Sequence, residues 1–169
     1  MSIVQESGIE FNFNSAAQIF RHDDSGPGCD GNKSIWKGID FRVNNGSTWL
    51  WIEVKSWDPT RVDPHRRGGN QQKFIGKMRS KEFAAEIRAK FLGTSAFLAW
   101  NGTFLPADVV YIVLFEPPRS VDKALMGALL TKVDSMFVHN FPWAQSISCV
   151  LLDVDDWNFY YPQYPAQIL

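Results

Sequence analysis

Two short apolar runs joined by an Asn-Gly turn constrain this chain more than any other feature. They are Gly38-Ile39-Asp40-Phe41 and Trp51-Ile52-Glu53-Val54-Lys55, with Asn44-Asn45-Gly46-Ser47 between them. Asn-Gly between apolar runs is the strongest short-range hairpin signal. Strands are therefore expected over about 35–43 and 48–57. Side chains alternate faces along a strand, so Glu53 and Lys55 point one way and Val54 the other. Pairing around the turn places Asp40 on the neighbouring strand, and the three polar groups converge on one patch.

Such a patch has chemical consequences. Two carboxylates about 4 Å apart repel by roughly 4 kcal/mol at an effective dielectric of about 20. At neutral pH one of them takes up a proton or a cation binds between them. Mg²⁺ suits the second outcome, because it is held by one or two carboxylates together with water and phosphate oxygens. Lys55 is then placed to orient or deprotonate a water, or to offset phosphoryl charge. A salt bridge on the hairpin surface is the alternative. Against it, Glu53 and Lys55 stand inside a strongly apolar strand, where unpaired charge is costly.

At these residues the chain resembles the PD-(D/E)XK, or restriction-endonuclease-like, nuclease superfamily. Asp40 matches the acid at one strand end, and Glu53-Val54-Lys55 matches the Glu-x-Lys of the next strand. Ile39 stands where the fullest pattern has proline. The resemblance spans roughly residues 10–115. It implies an α/β fold with a restriction-endonuclease-like core, a mixed central sheet flanked by helices. In that core a helix precedes three meandering strands, and a helix and further strands follow. It also implies Mg²⁺- or Mn²⁺-dependent cleavage of phosphodiesters, with Asp40 and Glu53 as metal ligands, the Val54 carbonyl as a third, and Lys55 on the water. The family often adds an acid or polar group from the first helix, for which Glu10, Asp23, Asp24 and Gln18 are the candidates. It often adds a helix residue after the Glu-x-Lys strand, for which Gln71, Gln72 and Lys73 are the candidates, Lys73 first.

Charge distribution extends this reading. The formal net charge is -1, which by itself argues against a polyanion partner. Residues 55–90, however, hold 10 basic and 4 acidic side chains, a net +6, while both flanking segments are negative. A basic zone beside the acidic patch suits a nucleic-acid backbone. Arg61, Arg66, Arg67, Lys77, Arg79 and Lys81 are its candidate contacts; a basic helix that merely faces solvent is the alternative.

The chain of 169 residues, 45% apolar and 14% aromatic, is long enough to bury one substantial core and reads as a single domain over 1–169. No long uncharged apolar run marks a membrane span. The first residues lack the pattern of a signal peptide. Cys29 and Cys149 form no Cys-x-x-Cys pair, so a reduced, cytoplasmic protein is expected.

Periodicity supplies the remaining elements. A short strand is expected at Ile9–Phe13, then a helix capped by Asn14 or Ser15 and running through Phe20. Asp23 to Lys33 and Asp58 to Gly69 read as loops, the second a candidate mobile loop beside the patch. From about 70 to 92 the pattern is helical, with Phe74, Met78, Phe83, Ile87 and Phe91 on one stripe, Lys77, Lys81, Arg88 and Lys90 elsewhere, and Ser80 capping a second segment. Strands are expected at Asp108–Phe115 and Ser148–Val154, with an amphipathic helix over about 121–137 between them. The aromatic tail Trp157 to Pro162 is expected to pack across the core edge. His22, His65 and His139 show no metal-ligand spacing, and Asp153, Asp155 and Asp156 lack the EF-hand pattern.

The expected function is that of a metal-dependent DNA endonuclease, with RNA not excluded as substrate and a homodimer expected by analogy. The alternative is a non-catalytic nucleic-acid- or protein-binding module of a defence or repair system.

Overall fold

The computed structural model describes residues 2–13, 18–22, 38–57, 63–103, 105–106, 108–116, 118, 124, 127–129, 131 and 146–169. The architecture is mixed α/β. A five-stranded sheet runs in the order β3 (Ile19–Arg21), β4 (Phe41–Asn45), β5 (Thr48–Ser56), β6 (Asp108–Glu116), β7 (Ser146–Leu152). β4 pairs antiparallel with both β3 and β5, whereas β5, β6 and β7 are parallel. A second sheet has the order β1 (Ser2–Glu6), β2 (Ile9–Phe13), β8 (Ala166–Ile168).

The Asn-Gly signal acts as read. β4 ends at Asn45, β5 begins at Thr48, and Gly46 takes the positive φ of 74° that the tight turn requires. The register pairs Phe41 with Ile52, and Asp40, just before β4, comes near Glu53, the two carboxylates sharing the Lys90 ammonium. Parallel strands need a long crossover, and α1 (Arg67–Arg79) and α2 (Lys81–Trp100) supply it between β5 and β6. The Ser80 side chain caps α2 by accepting the Phe83 N–H at 3.3 Å.

The central sheet is buried on both faces, which explains the unbroken apolar run of β6. Toward the helices, Trp51, Val109, Tyr111, Val113 and Phe115 pack on Met78, Phe83, Ile87 and Phe91. Toward the second sheet, Leu50, Ile52, Val54, Ile112 and Leu114 meet Phe11, Phe13 and Trp157. Trp157 belongs to α3 (Val154–Tyr160), is fully buried, and donates its indole N–H to the Tyr164 carbonyl at 2.6 Å. Cys149 is buried on the helix side of the sheet. No helix among the described residues is long and apolar enough to cross a membrane.

Several local expectations change. Ile19 and Phe20 lie in strand β3, not a helix, because Ile19 pairs with Val43 and Phe20 packs against Trp49. Helix α1 begins at Arg67 and so takes in Gly68 and Gly69, after a 3₁₀ turn at Pro64–Arg66. Asp153, directly after β7, caps α3 by accepting the Asp156 N–H at 2.7 Å, so the acidic trio stands at a helix start. β1 and β8 are elements that periodicity did not mark. The loop at 23–33, residues 58–62 of the one expected at 58–69 and most of the expected helix at 121–137 lie outside the described residues, although Ala124, Gly127, Leu129 and Thr131 are helical.

Candidate active site

Asp40 stands just before β4, where the backbone is held from three directions. Its N–H donates to the Ile52 carbonyl at 3.1 Å, and its own carbonyl accepts the His22 N–H at 3.1 Å. The preceding Ile39 N–H donates to Thr94 Oγ1 of α2 at 2.9 Å. Gly38 permits this approach, since a Cβ there would lie 3.1 Å from the His22 Cβ. The Asp40 side chain is also anchored, because the Val54 N–H donates to its Oδ2 at 2.6 Å. Such a bond to a backbone donor fixes the orientation of the side chain.

Alternation along β5 delivers Glu53 and Lys55 to the same helix-facing side. Glu53 is fully buried, and its Oε1 lies 2.6 Å from Lys55 Nζ and 2.7 Å from Lys90 Nζ. Lys90 Nζ also meets Asp40 Oδ1 at 3.2 Å. Lys55 reaches Glu86 Oε1 at 3.1 Å, and Lys77 reaches Glu86 Oε2 at 2.9 Å. Three carboxylates and three ammonium groups thus form one chain, from the buried Glu53 outward to Lys77, whose side chain is 58% exposed. Glu53 Oε2 is buried and accepts no hydrogen bond among the described residues.

Burial and the Asp40 carboxylate push the Glu53 pKa up to about 7, against the pull of Lys55 and Lys90. Burial opposes charge on Lys55, but Glu53 and Glu86 outweigh it and raise its pKa. Glu86 is drawn down to about 2, because Lys77 and Lys55 overcome its partial burial. The patch is therefore poised around a single uncertain proton, that of Glu53, next to a firmly charged lysine.

Asp40, Glu53, Val54 and Lys55 are thus brought together. Glu10 is not among them. It lies in β2 of the other sheet, where it accepts hydrogen bonds from Gln5 at 2.7 Å and Gln167 at 2.9 Å. Gln18 is exposed just before β3, and its carbonyl accepts the Asn44 N–H at 3.0 Å. Gln72 and Lys73 are exposed on α1, and Gln71 is half-buried there. Arg66, Arg67, Lys77, Arg79 and Lys81 are exposed along the 3₁₀ turn, α1 and the start of α2. Asp23, Asp24 and Arg61 lie outside the described residues.

Glu86 and Lys90 enter the site from α2 without having been singled out as site residues by sequence. Their i, i+4 spacing on a helix that also offers Ile87 and Phe91 to the core was the available signal. His22 is a structural group: its Nε2 accepts the Arg42 Nε–H at 2.7 Å, and burial with the Arg42 charge lowers its pKa to about 3. Among the described residues no three His, Cys, Asp or Glu side chains gather into a metal cage. Comparison with protein-family models, curated protein sequences and solved structures finds no match to this chain.

Proposed function

We propose that this chain is a metal-dependent nuclease with a restriction-endonuclease-like core that hydrolyses phosphodiester bonds in DNA. The observation that carries the reading is the gathering of Asp40, just before β4, and Glu53 of β5 around one ammonium group, that of Lys90, with Lys55 against Glu53 on the same face. Of the order that the resemblance implies, a helix before three meandering strands and then a helix and further strands, the part after the first helix is matched by β3 to β5, α1 with α2, and β6 with β7.

The donor set suits Mg²⁺ or Mn²⁺. It offers two carboxylates, a buried Glu53 oxygen lacking a hydrogen bond, and the main chain of Val54 beside them. The absence of a three-residue cage is compatible with a hard ion that keeps several waters. Such an ion, when bound, supplies Lewis acidity at a phosphoryl oxygen and acidifies water. The rest falls to the chain itself. Asp40, fixed by the Val54 N–H, presents Oδ1 in one orientation. Lys55, held cationic by Glu53 and Glu86, positions a water and offsets phosphoryl charge. Arg66, Arg67, Lys77, Arg79 and Lys81 form an exposed basic flank for the DNA backbone. A homodimer would present two such sites to the two strands of a duplex.

The test incubates purified protein with plasmid and oligonucleotides in Mg²⁺ or Mn²⁺, beside Asp40→Ala and Lys55→Ala. Cleavage is expected to fall by about a hundredfold or more in each variant, the usual scale for losing one electrostatic stabiliser. Equal cleavage by all three proteins identifies a contaminant and ends the proposal.

One observation favours a second reading. The Lys90 ammonium already lies against both carboxylates, as it would in a non-catalytic DNA- or protein-binding module whose charges only neutralise one another. Absence of carboxylate-dependent Mn²⁺ binding by calorimetry would select that module.

A further inference from the structure

Lys90 is the side chain that touches both proposed metal ligands. Its Nζ is 3.2 Å from Asp40 Oδ1 and 2.7 Å from Glu53 Oε1, and its side chain is 14% exposed. Lys55 differs, since its ammonium is shared between Glu53 and Glu86 on the outer side of the patch. A divalent ion bridging Asp40 and Glu53 needs the place that the Lys90 ammonium takes.

The backbone cannot make that room. Ile87 and Phe91, on either side of Lys90 along α2, are fully buried in the helix-side core. The four-carbon stem of a lysine can swing its charge aside while the helix stays fixed. Charge balance favours the exchange. Asp40, Glu53, Glu86, Lys55, Lys77 and Lys90 sum to zero when all are ionised. A dication added beside a retained Lys90 would place surplus positive charge in a largely desolvated site.

We propose that Lys90 is a built-in competitor for the divalent ion: its ammonium holds the two carboxylates as a placeholder, and metal loading requires its displacement. Lys90 therefore sets the metal concentration at which the site fills. A phosphodiester entering from the Lys77 side offers negative charge to the displaced ammonium, so polyanion binding promotes metal loading. This inference rests on the metal-dependent reading above, and its test separates the two.

Titration calorimetry with MnCl₂ alone, in chelator-stripped buffer, compares the wild-type chain with Lys90→Gln, Lys90→Arg and Asp40→Asn. Lys90→Gln is expected to bind Mn²⁺ about 10- to 1,000-fold more tightly, the one to three decades by which a neighbouring charge biases a carboxylate. Lys90→Arg, which keeps the charge, is expected to bind no more tightly than wild type. Equal affinity for wild type and Lys90→Gln overturns the role of Lys90 and leaves the metal site standing. No Asp40-dependent Mn²⁺ binding in any of the proteins overturns both. A second readout needs no substitution: acetic anhydride labelling of the wild type, read by mass spectrometry. Saturating Mn²⁺ is expected to raise Lys90 acetylation severalfold against Lys81 on the exposed surface. Labelling unchanged by a saturating ion overturns the proposal.

Discussion

Replacing Glu53 by glutamine removes one negative charge while keeping the size of a fully buried side chain. In the metal-free protein burial and Asp40 raise the Glu53 pKa from an ordinary 4.5 to about 7. Between those values the folded chain keeps a proton that the unfolded chain releases. Stability is therefore fullest below pH 4.5 and is lost as pH rises through about 7. At about 1.4 kcal/mol per pH unit the loss comes to about 3 kcal/mol. Glu53→Gln has no such proton, so its stability relative to wild type should climb by about 3 kcal/mol between pH 5 and pH 8. Lys55 keeps Glu86 and Lys90 keeps Asp40 as ion-pair partners in the variant. His22 titrates with the opposite sign in an overlapping window, but it is present in both proteins and cancels in the difference. The assay is urea unfolding in chelator at several pH values, read as the difference between the two proteins. A difference that stays flat from pH 5 to pH 8 refutes the claim that the Glu53 carboxylate is held in a desolvated site beside a second acid.

Two further outcomes follow from other parts of the molecule. Burial and Arg42 lower the His22 pKa from 6.5 to about 3, so the folded state refuses a proton that the unfolded state accepts. The stability that His22 contributes should fall by up to about 4 kcal/mol as pH drops from 6.5 toward 3. His22→Asn should show a shallower acid limb in thermal melts, and coincident limbs would dismiss the assignment. Trp157→Ala should cost about 3–5 kcal/mol in urea unfolding, because it empties a fully buried indole site against Phe11. A cost under about 1 kcal/mol would show that α3 does not seal the second core.

Features written over a few neighbouring residues were legible in the sequence. The Asn45-Gly46 turn, the alternation of β5 and the Ser80 cap are of this kind, and each follows from local backbone preference. From the first two alone Asp40, Glu53 and Lys55 could be brought to one face. Features decided by partners distant along the chain were not legible. Ile19-Phe20 suits a helix until Val43 offers it a strand edge. Gly68 and Gly69 discourage a helix by propensity, yet they open α1, whose later turns place Phe74 and Met78 in the helix-side core. β8 is too short to signal itself and exists because β2 leaves an edge to pair. Glu86 and Lys90 join the patch because α2 crosses the sheet with its Phe83, Ile87 and Phe91 stripe turned inward, and nothing in residues 81–100 alone says which strand residues that crossing brings them to.

The Val54 N–H bond to Asp40 gives the site an unusual tolerance. Its donor is the polypeptide itself, supplied equally by every residue type except proline. Drift among aliphatic side chains at position 54 would alter the opposite core and leave the aim of the aspartate unchanged. A proline there, at little cost in hydrophobicity, would let that carboxylate swing. Orientation at the Asp40 end of this hairpin is thus inherited from the strand rather than from any one neighbouring side group.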